Sequence, residues 1–197
     1  MEQARIGFAF CGSFCTWGRA VEALRQTAQR YETVIPIVSE RGSGTDTRFG
    51  CARDFLEEME RICGRPVIST VVQAEPIGPK GLLDVLVICP CTGNTLAKLA
   101  LGITDSTVTM AAKSHLRRGG AVVIALSTND GLSASAKNIG ALLDKKHVYF
   151  VPFGQDDPAG KPRSLQADFT QVTQAVEAAR QGRQLQPILL GCPAAEG

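Results

Sequence analysis

Four short polar turns, each closing an apolar run, hold the residues best suited to chemistry: Gly12-Ser13, Ser39, Thr92-Gly93-Asn94-Thr95 and Ser127-Thr128-Asn129. They offer hydroxyls, carboxamides and backbone N–H groups, the donors that a phosphate or a polar heterocycle accepts from. Where such a turn opens a helix, the free N–H groups and the helix dipole favour an anion further. Serine, threonine and asparagine also cap helices, and capping explains any one of these turns as well as a ligand does. Four of them at strand ends in one sheet point to an anionic ligand. The first turn narrows its identity. Gly7 and Gly12 are five residues apart and Gly7 lies inside a strand pattern, so the Gly-x-Gly-x-x-Gly of dinucleotide sites is missing. No lysine follows Gly12 as it would in an ATP-binding P-loop. A mononucleotide with a single phosphate needs only a compact Gly-Ser turn and a few hydroxyls.

The other reactive side chains give less. The seven cysteines are an odd number, and Cys11 and Cys89 sit in apolar runs where a small buried thiol is ordinary, so all are expected to be reduced. Cys11 with Cys15 and Cys89 with Cys91 form a rival four-thiolate metal reading, but neither pair has the Cys-x2-Cys spacing of a metal knuckle. No metal is therefore expected. Of the two histidines, His147 is expected to begin a strand, partly buried, and His115, beside Arg117 and Arg118, to face solvent.

These turns must be positioned by something, and the intervening pattern says what. Near-continuous apolar runs at residues 5–11, 33–39, 83–89, 121–127 and 147–152 read as buried strands. Helical patterns follow at about 16–30, 51–62, from the Thr92 turn to Leu101, to about Leu143, and at 164–181. Pro36 inside the second run predicts an irregular or edge strand. Residues 42–50 read as a long polar loop, either a binding loop or simply a mobile surface segment. Strand and helix alternate throughout. This predicts an α/β fold, a three-layer Rossmann-like, flavodoxin-like doubly wound parallel sheet with right-handed crossovers, as one domain over residues 1–197 with an extended tail from about 185. Ligands of such sheets sit outside the carboxyl ends of the strands.

Composition agrees with one globular domain: 44 % hydrophobic and 20 % charged residues, with a net charge of +2 that points to neither nucleic acid nor a membrane surface. The apolar stretch from Leu82 to Cys91 is broken by Asp84 and falls short of the roughly 20 residues a spanning helix needs. The first residues lack the pattern of a signal peptide, so a cytoplasmic protein is expected.

The segment Pro90-Cys91-Thr92-Gly93-Asn94-Thr95, continuing through Ala97-Lys98 to Gly102-Ile103-Thr104-Asp105, resembles the Pro-Ala-Ser-Ala-Asn-Thr, Ala-Lys and Gly-x-x-Asp motif of the FMN-binding flavoprotein family, which includes the flavin-containing cysteine decarboxylases. Gly12-Ser13, Ser39, Asn129 and Asn138 follow in the same order. The resemblance implies FMN, with Gly12, Ser13 and Ser39 on the phosphate and ribityl chain, Asp105 and Ser106 nearby, Asn129 also at the cofactor, and Thr92, Gly93, Asn94 and Thr95 against the flavin. Two departures weaken the decarboxylase activity itself. Cys91 and Gly93 replace small residues of the motif, and the catalytic histidine expected after the second strand is missing.

A narrower resemblance is to the dipicolinate synthase B-subunit family, carried by Arg5-Ile6-Gly7-Phe8, Asp46-Thr47-Arg48-Phe49-Gly50, Ala74-Glu75-Pro76-Ile77-Gly78-Pro79-Lys80, Ser127-Thr128-Asn129-Asp130, and the stretch from Tyr149 to Pro158. It implies a flavin-dependent oxidoreductase that takes part in oxidising dihydrodipicolinate to dipicolinate, pyridine-2,6-dicarboxylate, during sporulation, in the mother-cell cytoplasm. The implied partners are an A subunit, a small dicarboxylate substrate, and further copies of the chain in a trimer or higher oligomer. Arg48 and Lys80 are the candidate cations for the substrate carboxylates, and Asn94 with Arg48 the candidate catalytic residues. The alternatives are a non-catalytic flavin-binding partner subunit and a decarboxylase of a peptidyl cysteine.

Overall fold

The structure, a computed structural model, describes residues 2–191. Strand β1 (Glu2–Phe10) is followed by a one-turn 3-10 segment and helix α1 (Trp17–Arg30). Strand β2 (Tyr31–Val38) leads into the short helix α2 (Glu40–Gly44), then α3 (Ala52–Cys63) and the single turn α4 (Val71–Ala74). Strand β3 (Val85–Cys91), helices α5 (Gly93–Leu101) and α6 (Thr107–Leu116), strand β4 (Ala121–Thr128) and helix α7 (Ala136–Leu143) come next. The chain closes with β5 (Val148–Phe150), β6 (Phe153–Gly154), β7 (Leu165–Ala167) and α8 (Val172–Arg180).

Strands β1 to β5 run parallel in the order β2-β1-β3-β4-β5. Each crossover returns through helices, so the central strands are covered on both faces. All seven residues of β3 are buried as a result, and no polar alternation interrupts them. The strand order reverses between β1 and β3. The sheet is flavodoxin-like, as expected, but it is mixed: β7 pairs antiparallel with β4, and β6 antiparallel with β7.

That extension corrects the expected helix at 164–181. Leu165 and Ala167 are buried while Gln166 between them is half-buried, a period of two that makes a strand, and the helix begins only after Asp168 accepts from the Thr170 amide at 3.0 Å. Residues beyond it come back to the sheet, the Leu190 amide donating to the Phe153 carbonyl at 2.9 Å. The part of the expected tail past residue 191 lies outside the described residues.

Pro36 does lie on an edge strand. It faces Phe8 of β1 on one side, and on the other its carbonyl accepts from the Ile68 amide at 2.9 Å. The expected loop at 42–50 is shorter than its composition suggests, because Ser39 caps α2 by accepting from the Gly42 amide. His115 is buried, not solvent-facing. Val108, Ala111, Ala112 and His115 form one inward face of α6, and the basic residues beside it come after the helix has ended. His147 is exposed, in a left-handed turn at φ 65°, and the strand starts one residue later.

Candidate functional site

Two adjoining cavities open at the carboxyl ends of the parallel strands, and Gly12 and Thr92 line both. These residues follow β1 and β3, the two strands between which the order reverses. That is the switch point where open α/β sheets bind ligands, flavodoxin-like sheets included.

The smaller cavity, about 540 Å³, collects Ser39, Asn94, Thr95, Asp105 and Ser106 from the candidates read in the sequence. The larger, about 630 Å³, collects Ser13, Gly93, Asn129 and Arg48. The structure thus brings together every candidate except Lys80 and Asn138. Lys80 is exposed in the segment before β3, at the amino end of the strands, so it is corrected out of the site. Asn138, which followed the motif order, is buried in α7.

Hydrogen bonds fix the turns. Ser127 donates to the side-chain carbonyl of Gln166 at 3.2 Å, which leaves its own oxygen to accept from Ser13 at 3.2 Å. Thr16 bonds to Ser13 at 3.0 Å and closes the first turn from the other side. In the third turn Thr92 caps α5, accepting from the Thr95 amide at 3.2 Å. Asn94 is therefore not the cap, and its carboxamide stands exposed toward the smaller cavity. Gly93 lies under a polar knot in which Thr128 and Ser135 both donate to Asp130, the latter at 2.9 Å. A Cβ at Gly93 would stand 2.7 Å from the Thr128 hydroxyl and 2.9 Å from that of Ser135. Only glycine lets α5 begin so close to the β4 turn.

The N-terminus of α6 is already satisfied from within. The Glu40 carboxylate accepts from the Thr107 amide at 2.9 Å and its hydroxyl at 2.7 Å, while Ser106 and Thr109 form a capping box. Lys98 pairs with Asp105 at 2.8 Å, and that hydrogen bond holds the Asp105 carboxyl below its ordinary range. The carboxylates of the smaller cavity are thus spoken for, and among the described residues Arg41 beside Gly12 has no acidic partner there.

The cysteines at the strand ends do not form a metal set. Cys11, Cys89 and Cys91 are buried whereas Cys15 is exposed, and no cluster of three metal-ligating side chains occurs among the described residues. Burial pushes the Cys11 thiol up to about 11, although hydrogen bonds donated to its sulfur by the Thr95 side chain and the Thr92 backbone act the other way, so it stays protonated and inert. Neither histidine lines either cavity.

Sequence reasoning missed Arg19, Arg41, Asp130, Asp156, Lys161 and Gln166, all at or supporting the cavities. Gln155-Asp156-Asp157-Pro158 was visible as an unusual segment, but its return over the strand ends depends on β6 and β7, which are two and three residues long. Arg19 carried no signal beyond its place on the polar face of α1.

A Rossmann-like fold with a donor-rich pair of cavities at its switch point is an architecture that binds nucleotides, and comparison with known proteins narrows the class to the flavoproteins. The profile of the Flavoprotein family matches residues 4–177, and the chain belongs to that family. Within it, the chain is 41 % identical over 190 residues to the B subunit of dipicolinate synthase of Bacillus subtilis (strain 168), covering 96 % of this chain and 95 % of the relative. The crystal structure of the dipicolinate synthase B subunit from Bacillus halodurans superposes with a TM-score of 0.88 at 40 % identity, over 95 % of this chain and 96 % of that one. The fold also matches the FMN-dependent cysteine decarboxylase SpaF, with a TM-score of 0.60 at 22 % identity over 90 % of this chain and 97 % of that one. Among the described residues no helix is long and apolar enough to cross a membrane.

Proposed function

We propose that the chain is the FMN-binding B subunit of a dipicolinate synthase and takes part, with an A-type partner subunit, in oxidising dihydrodipicolinate to pyridine-2,6-dicarboxylate in the mother-cell cytoplasm. The observation that carries this reading is the position of Gly12 and Thr92, which flank the switch point and are shared by both cavities. Family membership argues for flavin, and the site argues for its mononucleotide form. The donors of the smaller cavity, Ser39 and Gly12 with the unpaired Arg41, suit one phosphate and a polyol chain. Thr92, Asn94 and Thr95 present hydroxyl and amide groups to a polar ring edge, and Phe14 and Phe49 give the larger cavity apolar walls. Both volumes lie in the range of cofactor and small-molecule sites, roughly 300–1,000 Å³.

Bound FMN would supply the two-electron redox capacity that aromatisation of the substrate ring requires. This chain's residues do the rest. Gly93 brings the start of α5 against the β4 turn, Asn94 offers a donor and an acceptor to the ring edge, and Arg48 supplies a planar guanidinium for a carboxylate. Asp105, Ser106 and Asn129 complete the rim. The similarity of the B-subunit relatives supports the substrate class, while the lack of a histidine in either cavity argues against cysteine decarboxylation.

The test is an assay of the A subunit with dihydrodipicolinate, with and without this chain loaded with FMN, under anaerobic conditions where bleaching of the flavin band is visible. Bleaching that depends on substrate supports a redox role for this chain. Faster turnover with no bleaching would make it a supporting subunit and remove the oxidoreductase assignment.

A further inference from the structure

The larger cavity carries more positive charge than a mononucleotide bound at the smaller one needs. Arg19 reaches it from the first turn of α1, Arg48 from the segment after α2, and Lys161 from the segment between β6 and β7. Among its lining residues the sole carboxylate is Asp156. Among the described residues neither Arg19 nor Arg48 has an acidic partner. Their guanidinium groups instead rest over aromatic rings, Arg48 at 4.8 Å from the centre of Phe49 and Arg19 at 5.5 Å from that of Phe169. Lys161 stands 3.6 Å from Asp156. Burial would raise the Asp156 carboxyl, but a hydrogen bond from Ser164 and the charge of Lys161 outweigh it, so it stays ionised. Three cations against one carboxylate leave two positive charges in a space of about 630 Å³.

The smaller cavity is balanced differently. Its lysine is paired with Asp105 and Glu40 is used on α6, which leaves Arg41 alone. One cation there suits one phosphate, and the surplus next door belongs to something else. Cations in a concave site raise the local concentration of small anions, and guanidinium forks bind carboxylates in two-pronged fashion.

We propose that Arg19, Arg48 and Lys161 form the specificity site of the larger cavity and select a small planar ring acid bearing two carboxylates over one bearing a single carboxylate. Arg48 and Arg19, with no acid of their own, take the carboxylates. Lys161, positioned by Asp156, supplies the remaining charge so that a dianion is neutralised. The identity of the ring rests on the reading given under Proposed function, whereas the preference for two negative charges rests on the charge count alone.

Calorimetric titration of the full chain with pyridine-2,6-dicarboxylate and with pyridine-2-carboxylate, with and without FMN, tests this. The diacid should bind at least about tenfold more tightly than the monoacid. Each of Arg19→Gln, Arg48→Gln and Lys161→Gln should remove most of that preference while leaving the Kd for FMN within about twofold, which also shows that the variants fold. Equal affinity for the two acids overturns the proposal, as does a preference that survives all three substitutions. Loss of FMN affinity with no change in acid binding overturns it too, by giving the cations to the phosphate. A chain that prefers the diacid but takes up no FMN supports the specificity site and removes the flavin reading instead.

Discussion

The hydroxyl of Ser13 stands 3.2 Å from that of Ser127, so the turn after β1 is tied to the end of β4 across the mouth of β3. The tie continues to Gln166 on β7, which makes the antiparallel extension part of the site's frame. Ser127→Ala removes the acceptor of Ser13 and the donor to Gln166. We expect a loss of about 1 kcal/mol in urea unfolding and a several-fold weaker hold on FMN. Unchanged FMN affinity would show that the first turn keeps its shape without this bond.

Two glycines at helix positions should respond oppositely to the same change. A Cβ at Gly93 meets the Thr128, Ser135 and Asp130 side chains at 2.7 to 3.0 Å, whereas one at Gly140 in α7 meets nothing within 4 Å. Gly93→Ala should destabilise by about 1–3 kcal/mol and weaken FMN binding. Gly140→Ala should stabilise by up to about 1 kcal/mol, since alanine is the better helix former. Thermal unfolding of the pair decides it, and a shift of the same sign in both would rule out the packing described.

His115 gives the fold a pH dependence of known sign. Burial lowers its affinity for a proton below that of a free imidazole, more than the Ala121 backbone and the charge of Asp84 raise it, and among the described residues its Nε2 has no hydrogen-bond partner. The unfolded chain therefore protonates first as pH falls. The contribution is full above the ordinary histidine value and is lost as pH drops through and below it, until the folded imidazole is itself protonated. Between about pH 7 and pH 5 wild type should lose stability relative to His115→Gln, with a slope of at most about 1.4 kcal/mol per pH unit. A difference between the two proteins that does not vary with pH would mean the imidazole is not held neutral.

Asn94 is exposed and does not cap its helix, because Thr92 does. Asn94→Ala should leave unfolding within about 0.5 kcal/mol of wild type and still weaken FMN binding by about tenfold or slow turnover to a similar degree. Fluorescence titration with FMN, beside a denaturation curve, separates the two effects.

The parallel core was legible because both of its faces are covered. Continuous apolar runs such as Val85 to Cys91 have few other readings, and the turns that end them carried their polarity openly. What escaped were features set by contacts distant in sequence. Leu165 to Ala167 alternates over only three residues and reads as the start of the helix that follows it. His115 looked solvent-facing because its basic neighbours are in sequence, while the Gly120 backbone and the inward face of α6 that enclose it are found only in the fold. Lys80 shared the glycine-flanked setting of Arg48, yet the two lie at opposite ends of the sheet. Arg19 joined Arg48 only because α1 starts beside the strand ends, and Lys161 only through the return of the segment between β6 and β7.

The functional reading depends above all on the turns after β1, β2 and β3 converging on one FMN. The decisive measurement is the absorption spectrum of the full chain after incubation with FMN and passage over a desalting column. We expect a yellow protein whose flavin bands persist at close to one FMN per chain and shift on binding. A colourless protein, whose unfolding is also indifferent to millimolar FMN, would refute the convergence.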